Sequence, residues 1–372
     1  MKARRTTRNT KLMKKVRILS LDGGGIRGII PAKIVSYIEK EIQKETKNDN
    51  ARIADYFDMV VGTSTGGLLG CFYLTPNPNQ NAEKTLPSTK FAADEALAFY
   101  TEKGVEIFND SKYFSWFGLR QLFNAVKYNP KAMERILHEQ FGEDMLHDLV
   151  KPCTLTTYNL DDKKAFFLRS EDHSVSNRTF KVKDAMRSTS AAPTYFPPAK
   201  IKNLAAKLNK GESEFMHNID GGVFANNPTL VAYSEARNNK FGLPDDKSPT
   251  AKDMLIVSIG TGGGNFALAN VNRSAKWGIL KWAVSTPNIM MDGSIDTVDY
   301  QMKQLYSTLE KEHVANYLRI DVPLSEKIRN YDPDMANADS ENCAKLIVAA
   351  EKTLASVKLE LDVMIKRIIK GE

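Results

Sequence analysis

The chain has 372 residues, 42% of them hydrophobic and 26% charged, three cysteines and a formal net charge of +7. This is globular composition, and the scattered, odd-numbered Cys71, Cys153 and Cys343 argue against a disulfide framework or a zinc site. Eight of the basic residues fall within residues 1–17, which hold no acid, leaving 44 basic against 45 acidic residues in the body and disfavouring an extended nucleic-acid face.

Residues 1–15 read as a basic, poorly ordered arm, with contact to anionic lipid as the alternative. No signal-peptide core follows, because Val16-Arg17-Ile18-Leu19-Ser20-Leu21 is short and runs into Asp22. No window approaches 18 uninterrupted apolar residues, so no membrane-spanning helix is predicted. The expected location is cytoplasmic, or exported without a cleavable signal peptide, and peripheral to membranes.

In chain order, residues 16–21 predict a buried strand and 29–44 a helix. Residues 59–61 predict a short strand and 66–74 a buried helix. A loop rich in Pro and Asn follows at 75–90, then helices at 92–103 and 131–140. Residues 154–159 and 165–169 predict a strand pair around the Asp161-Asp162 turn. Further strands are expected at 216–219, 254–259 and 317–322, and a long helix at 340–370. This alternation predicts an α/β fold, with a mostly parallel central sheet covered by helices on both faces. One catalytic domain is expected over 16–330, with insert-like loops at 75–90 and 202–214. Residues 331–372 are expected to form a helical extension packed on it.

Three glycine-framed motifs stand at predicted strand ends. Gly62-Thr63-Ser64-Thr65-Gly66 lies between a strand and a helix. A serine hydroxyl becomes a nucleophile when it is exposed, aligned and relieved of its proton, and such a sharp turn exposes it. Ser64 is therefore a candidate nucleophile, or else a small residue in a glycine-rich turn. The Thr65 N–H sits at the helix N-terminus, where amides point outward unpaired. The second motif is Asp22-Gly23-Gly24-Gly25-Ile26-Arg27-Gly28. It matches neither a dinucleotide fingerprint nor a P-loop. What remains is an oxyanion hole, with donors from Gly23, Gly24 and Gly25. Arg27 is placed to steady this loop or to attract a lipid phosphate. The third is Asn218-Ile219-Asp220-Gly221-Gly222. Asp220 is a candidate base, or an aspartate that only forms the turn.

None of the histidines has such a setting. His138 and His147 fall in a charged helical region, His173 in a loop, and His313 beside Lys311 and Glu312. His217 lies three residues before Asp220, so in a strand it points to the opposite face, roughly 10 Å away.

Taken together, the Asp-Gly-Gly-Gly-x-Arg-Gly, Gly-x-Ser-x-Gly and Asp-Gly-Gly motifs resemble those of the patatin-like phospholipases. Residues 54–58 (ADYFD), 188–198 (STSAAPTYFPP) and 255–262 (LIVSIGTG) are similar to plant patatins. The resemblance covers roughly residues 16–320. Val223-Phe-Ala-Asn-Asn-Pro after the third motif departs from plant patatins and is similar to many bacterial members, with Asn226, Asn227 and Pro228 starting a helix.

The resemblance implies a patatin-like fold related to cytosolic phospholipase catalytic domains. It implies a Ser64–Asp220 dyad without histidine, an oxyanion hole at Gly23–Gly25, Arg27 at the basic position of that motif, and no metal or other cofactor. The implied activity is that of a lipid acyl hydrolase of phospholipase A or lysophospholipase type. Its substrate would be a glycerophospholipid or galactolipid, met in transient contact with a membrane surface, with no nucleic-acid partner. An acyltransferase on the same dyad, or a lipid-binding or storage protein with little activity, are the alternatives.

Two stretches offer lipid contact: Phe114, Trp116, Phe117, Leu119, Leu122 and Phe123, and then Trp277, Ile279, Leu280 and Trp282. Both also suit buried core. The helix at 340–370 is apolar at Leu354, Val357, Leu361, Met364, Ile365 and Ile368, which fits packing on the body or an amphipathic helix on a membrane.

Overall fold

A computed structural model describes residues 14–79, 87–108, 126–171, 179–205, 213–239, 241, 243, 247–263, 278–323 and 328–372, without the side chains of residues 279–281 and 283–285. The basic arm up to residue 13, the 114–123 aromatic stretch, Trp277 and the side chains of Ile279 and Leu280 lie outside this set.

The centre of the fold is β1 (Val16–Leu21), parallel to β2 (Met59–Thr63) on one side and β7 (Met254–Ile259) on the other. Every residue of these three strands is buried, as expected for parallel strands covered on both faces. Their side chains alternate between two cores. Leu19, Leu21, Val60, Leu255, Val257 and Ile259 face a core shared with the helices Ile29–Thr46, Thr65–Leu74, Ala93–Phe108 and Ser340–Lys370. Ile18, Met59, Val61, Met254 and Ile256 face a second core with Ala232 and Ala236 of the Thr229–Asn238 helix and Met302 and Tyr306 of the Ile279–Ser307 helix.

The sheet has eight strands. The path runs β5 (Ala199–Lys202), β6 (Phe215–Asp220), β3 (Cys153–Asn159), β2, β1, β7, β8 (Tyr317–Ile320), and β4 (Lys164–Arg169) also pairs with β3. The β1–β2, β1–β7, β2–β3 and β7–β8 pairs are parallel, while β3–β4, β3–β6 and β5–β6 are antiparallel. The predicted α/β class with a mostly parallel sheet is therefore the observed one.

Strand β3 positions the site. One of its edges pairs with β4 along Thr154–Asn159. The other is divided: β2 runs parallel along the first half, as far as Thr63 opposite Thr156, and β6 runs antiparallel along the second, as far as Asp220 opposite Thr157. The C-terminal ends of β2 and β6 thus meet head-on.

The Ser340–Lys370 helix begins where the Asp339 carboxylate accepts the Asn342 N–H at 2.7 Å and ends at Gly371, whose φ of 72° a glycine adopts without strain. Leu346, Leu361, Ile365 and Ile368 are fully buried along it, each such side chain contributing about 1.5–3 kcal/mol relative to exposure. No helix among the described residues is long and apolar enough to cross a membrane. The Ile279–Ser307 helix, which spacing had not predicted, exposes Trp282, Ile289 and Met290.

Candidate active site

Ser64 follows β2 directly, at φ 52° and ψ −121°, a strained conformation for a residue with a side chain. The flanking glycines allow the turn to close. A Cβ on Gly66 would lie 2.1 Å from the Leu21 carbonyl oxygen, and one on Gly62 would lie 2.3 Å from the Gly66 carbonyl. The helix can therefore start against the end of β1 and over the strand that feeds it. The Ser64 N–H donates to Thr189 Oγ1 at 2.9 Å, and that hydroxyl donates to the Thr156 carbonyl at 2.7 Å. The strained residue is thereby tied to β3. Thr65 is locked next to it: its hydroxyl donates to the Tyr100 oxygen at 2.5 Å, and the Tyr100 hydroxyl donates to the Thr65 carbonyl at 2.9 Å.

The glycine loop leaves β1 on the same side of the sheet. Its carbonyls are tied back: Gly23 O accepts Thr261 Oγ1 at 2.7 Å and Asn226 Nδ2 at 3.4 Å, and Gly24 O accepts the Arg27 N–H at 3.2 Å and Nε at 3.3 Å. Gly25 has φ 58°, and a Cβ there would lie 2.2 Å from the Met335 carbonyl oxygen, so only glycine fits. Gly24 and Gly25 stand at the start of a short 3-10 helix, Gly25–Gly28, where the first amides lack an intrahelical acceptor. Gly23 corrects the expectation of three donors. Its N–H is engaged with the Asn226 carbonyl at 3.0 Å. Arg27 is buried with its Nε on the Gly24 carbonyl, which fits the loop-steadying one of its two expected roles.

Beneath the loop, the fully buried Asp22 accepts two hydrogen bonds from Arg319, at 2.9 and 2.6 Å, and Arg319 also reaches Asp321 at 2.7 Å. Desolvation pushes the Asp22 carboxyl up, and the arginine opposes it. Asp22 therefore anchors the loop and takes no part in the candidate chemistry.

Asp220 closes β6 with 2% of its surface exposed. Its N–H donates to the Ala191 carbonyl at 3.0 Å, and its Oδ1 accepts the Gly222 N–H at 2.7 Å. Oδ2 is buried with no hydrogen-bond partner among the described residues. Among the described residues, the Ser64 hydroxyl is near enough to act on this carboxyl. Burial raises its pKa to about 7, with the Gly222 amide and Ser64 pulling the other way. A carboxylate poised there is a far better base near neutral pH than one at its ordinary value.

The histidines stand apart. His217 is turned outward and pairs with Asp161 at 3.1 Å. His138 contacts Lys183 at 2.8 Å, while His147 and His313 lie beside Asp148 and Glu312. His173 lies outside the described residues.

Ser64, Thr65 and Gly25 form part of the wall of an apolar pocket of about 550 Å³, its open mouth included. Leu68, Phe99, Ile107, Met133 and Phe196 supply most of its apolar lining. The sequence reading brought together Ser64, Asp220 and the glycine loop but missed Thr189, Arg319, Asn226 and Tyr100. Thr189 lies in the quoted 188–198 segment without a role there, and Arg319 is hidden in an ordinary short strand.

The family model described as Patatin-like phospholipase matches residues 19–233. The chain is similar to Patatin-like protein 2 of Oryza sativa subsp. indica, 34% identical over 366 residues that cover 94% of this chain and 87% of that protein. It is similar to Patatin group J-1 of Solanum tuberosum, 32% identical over 358 residues, with 94% and 87% covered. It is also 33% identical, over 83% of its length and 79% of the other, to a Solanum tuberosum protein named Probable inactive patatin-3-Kuras 1.

Proposed function

The chain belongs to the patatin-like phospholipase family, a family of lipid acyl hydrolases, and from that premise we propose that it cleaves carboxylic esters of glycerolipids with Ser64 as nucleophile and Asp220 as base. Since one relative is named as inactive, the site itself has to carry this reading. The observation that carries it is the meeting of a strained, pinned Ser64 with a buried carboxyl lifted to about 7.

Asp220 accepts the Ser64 proton as Oγ attacks the ester carbonyl. The Gly24 and Gly25 amides, with that of Thr65, serve as the oxyanion donors on this reading, which their places at the starts of two helices support. Asp220 then returns the proton to the departing alcohol, which leaves as a lysolipid or glycerol derivative, and the acyl group remains on Ser64. The pocket beside Ser64 suits the acyl chain, because its exposed lining is mostly apolar and buries methylenes at about 0.8 kcal/mol each. The chemistry requires no cofactor.

The test is a panel of phospholipids and galactolipids incubated with wild type and Ser64→Ala, reading free fatty acid and lysolipid separately. Fatty acid release that disappears with Ser64→Ala supports the proposal. Release that persists in the variant overturns it.

A further inference from the structure

Beside Asp220 Oδ2, a second acceptor in the site is buried with no hydrogen-bond partner among the described residues: Asn226 Oδ1. Asn226 is 1% exposed. Its other polar groups are engaged. The N–H donates to Ser294 Oγ at 3.1 Å, the carbonyl accepts the Gly23 N–H at 3.0 Å, and Nδ2 donates to Gly23 O at 3.4 Å. Asn226 thus clamps the glycine loop and has one oxygen to spare. A buried acceptor without a donor costs about 1–3 kcal/mol, so such orphans call for an explanation.

That oxygen points toward the dyad. A Cβ placed on Gly222 would lie 3.0 Å from Asn226 Oδ1 and 3.1 Å from Asp220 Oδ1. One placed on Gly23 would lie 2.2 Å from Asn226 Oδ1 and 3.3 Å from Ser64 Cβ. The two glycines therefore let the asparagine oxygen, the carboxylate and the nucleophile approach the same small volume, which a side chain at either position would crowd.

We propose that Asn226 Oδ1 and Asp220 Oδ2 together hold the water that hydrolyses the acyl-enzyme, Asn226 aiming it and Asp220 taking its proton. This rests on the reading of Ser64 and Asp220 as the dyad. The chemistry suits the pair. Water has two hydrogens, and two acceptors that take both direct an oxygen lone pair away from themselves. Once acylated, Ser64 has no proton to offer, so the carboxylate is free to accept from water instead. The water oxygen bonds to the acyl carbonyl carbon as one of its protons passes to Asp220. The tetrahedral intermediate collapses by breaking the bond between that carbon and Ser64 Oγ. The proton moves from Asp220 to Oγ, leaving a free fatty acid and a restored serine. Asn226 cannot take the proton, because an amide oxygen is too weak a base at neutral pH, so its role is positional.

Acylation uses the glycine loop and the dyad but no water; deacylation uses all three. The experiment therefore separates the two steps in wild type, Asn226→Ala and Gly222→Ala. The alanine at 222 keeps the Asn226 side chain and sets its methyl about 3.0 Å from Asn226 Oδ1, where it crowds a water on that oxygen. Stopped-flow release of nitrophenol from a medium-chain p-nitrophenyl ester reads acylation. Intact mass of the quenched protein reads the decay of the acyl adduct on Ser64.

The expected result is that adduct decay slows about 10- to 100-fold more than acylation in both variants, so that the adduct accumulates. Acylation and decay falling together would show that Asn226 only holds the loop, and would overturn the proposal, as would unchanged decay in either variant. Should Asn226→Ala fail to fold, Gly222→Ala decides alone. Ser64→Ala is the separate control: nitrophenol release that survives it, or a wild-type adduct on another residue, defeats the dyad reading and not the water site alone.

Discussion

Ser64 and Asp220 meet because Thr63 and Asp220 occupy adjacent registers, opposite Thr156 and Thr157, on one edge of β3. Two strands from distant parts of the chain end against each other there, and each hands its next turn to the same small volume. A register shift of one residue would swing either side chain to the other face. The juxtaposition of Ser64 and Asp220 is therefore a property of the sheet, with the glycines supplying the turns.

The first prediction concerns identity at those two ends. Ser64→Ala and Asp220→Asn should each reduce ester hydrolysis by about a thousandfold or more, since nucleophile and base act as a unit. His217→Ala should stay within about twofold, because its ring pairs with Asp161 on the surface. The measurement is kcat/KM on a soluble ester, with circular dichroism to confirm folding. A large loss in His217→Ala with activity retained in Asp220→Asn would replace the dyad with a triad.

The second concerns pH. With the Asp220 carboxyl at about 7, the active form is the carboxylate, so kcat/KM should rise about tenfold per pH unit below 7 and level off above it. The stability effect has the opposite sense. A carboxyl whose folded pKa is raised contributes stability that is fully present below its unfolded value, near 3.8, and is lost as pH rises through about 7. The loss runs at about 1.4 kcal/mol per pH unit between the two values. Asp220→Asn, inactive, should therefore melt higher than wild type at pH 8 and nearly the same at pH 4. Equal melting temperatures at both pH values would mean that the carboxyl is not held near 7.

The strands of the central sheet and the three glycine motifs were legible because each has a local cause: continuous apolar runs for β1, β2 and β7, and glycines where backbones approach within a Cβ's reach. Residues 317–322 and 340–370 were legible for the same reason. The short edge strand Ala199–Lys202 was not, because four residues carry little periodic signal and its pairing with β6 fixes it. The Val182–Thr189 helix does place Val182, Ala185 and Met186 at helical spacing, but over only eight residues. The Ile279–Ser307 helix was hidden by Pro287 in its interior. Within the site, the motifs named the candidate reacting groups but not the residues that support them. Thr189, Arg319 and Asn226 act across 125, 297 and 203 residues of sequence separation respectively, distances over which spacing carries no information. Gly23 shows the converse. Its sequence setting is that of its two neighbours, and only the fold reveals that its amide is engaged with Asn226.

The third prediction follows from the pin on the nucleophile. Thr189→Val keeps the shape of the side chain but removes the acceptor for the Ser64 N–H and the donor to Thr156 O. The buried Ser64 amide is then unpaired, at a cost of about 1–3 kcal/mol, and the strained φ of 52° loses its restraint. Both stability and kcat should fall, kcat by about 10- to 100-fold, while Thr189→Ser should restore most of both. If Thr189→Val is as active as wild type, the strain is held elsewhere.

The fourth concerns the charge under the glycine loop. Arg319→Met leaves Asp22 buried and unpaired, which should destabilise the fold by about 3–5 kcal/mol. Adding Asp22→Asn removes the orphaned charge and should recover part of the loss. Urea denaturation of the three variants checks this. Additive losses in the double variant would show that the two residues do not act as a pair.

The fifth tests the pocket. Ile107 and Met133 are buried in its lining, together with Leu68 and Phe196, while Ser64 borders the same space. If the acyl chain occupies it, filling the pocket should shorten the chain that is accepted without touching the dyad. Met133→Trp should leave kcat/KM for a butyryl ester within about threefold of wild type. The same change should lower it for a dodecanoyl ester by about a hundredfold, because each methylene excluded from the pocket forfeits about 0.8 kcal/mol. The comparison runs within one protein, so a loss of folded enzyme lowers both esters equally and cannot imitate the shift. A parallel fall across chain lengths would place the acyl chain outside this pocket.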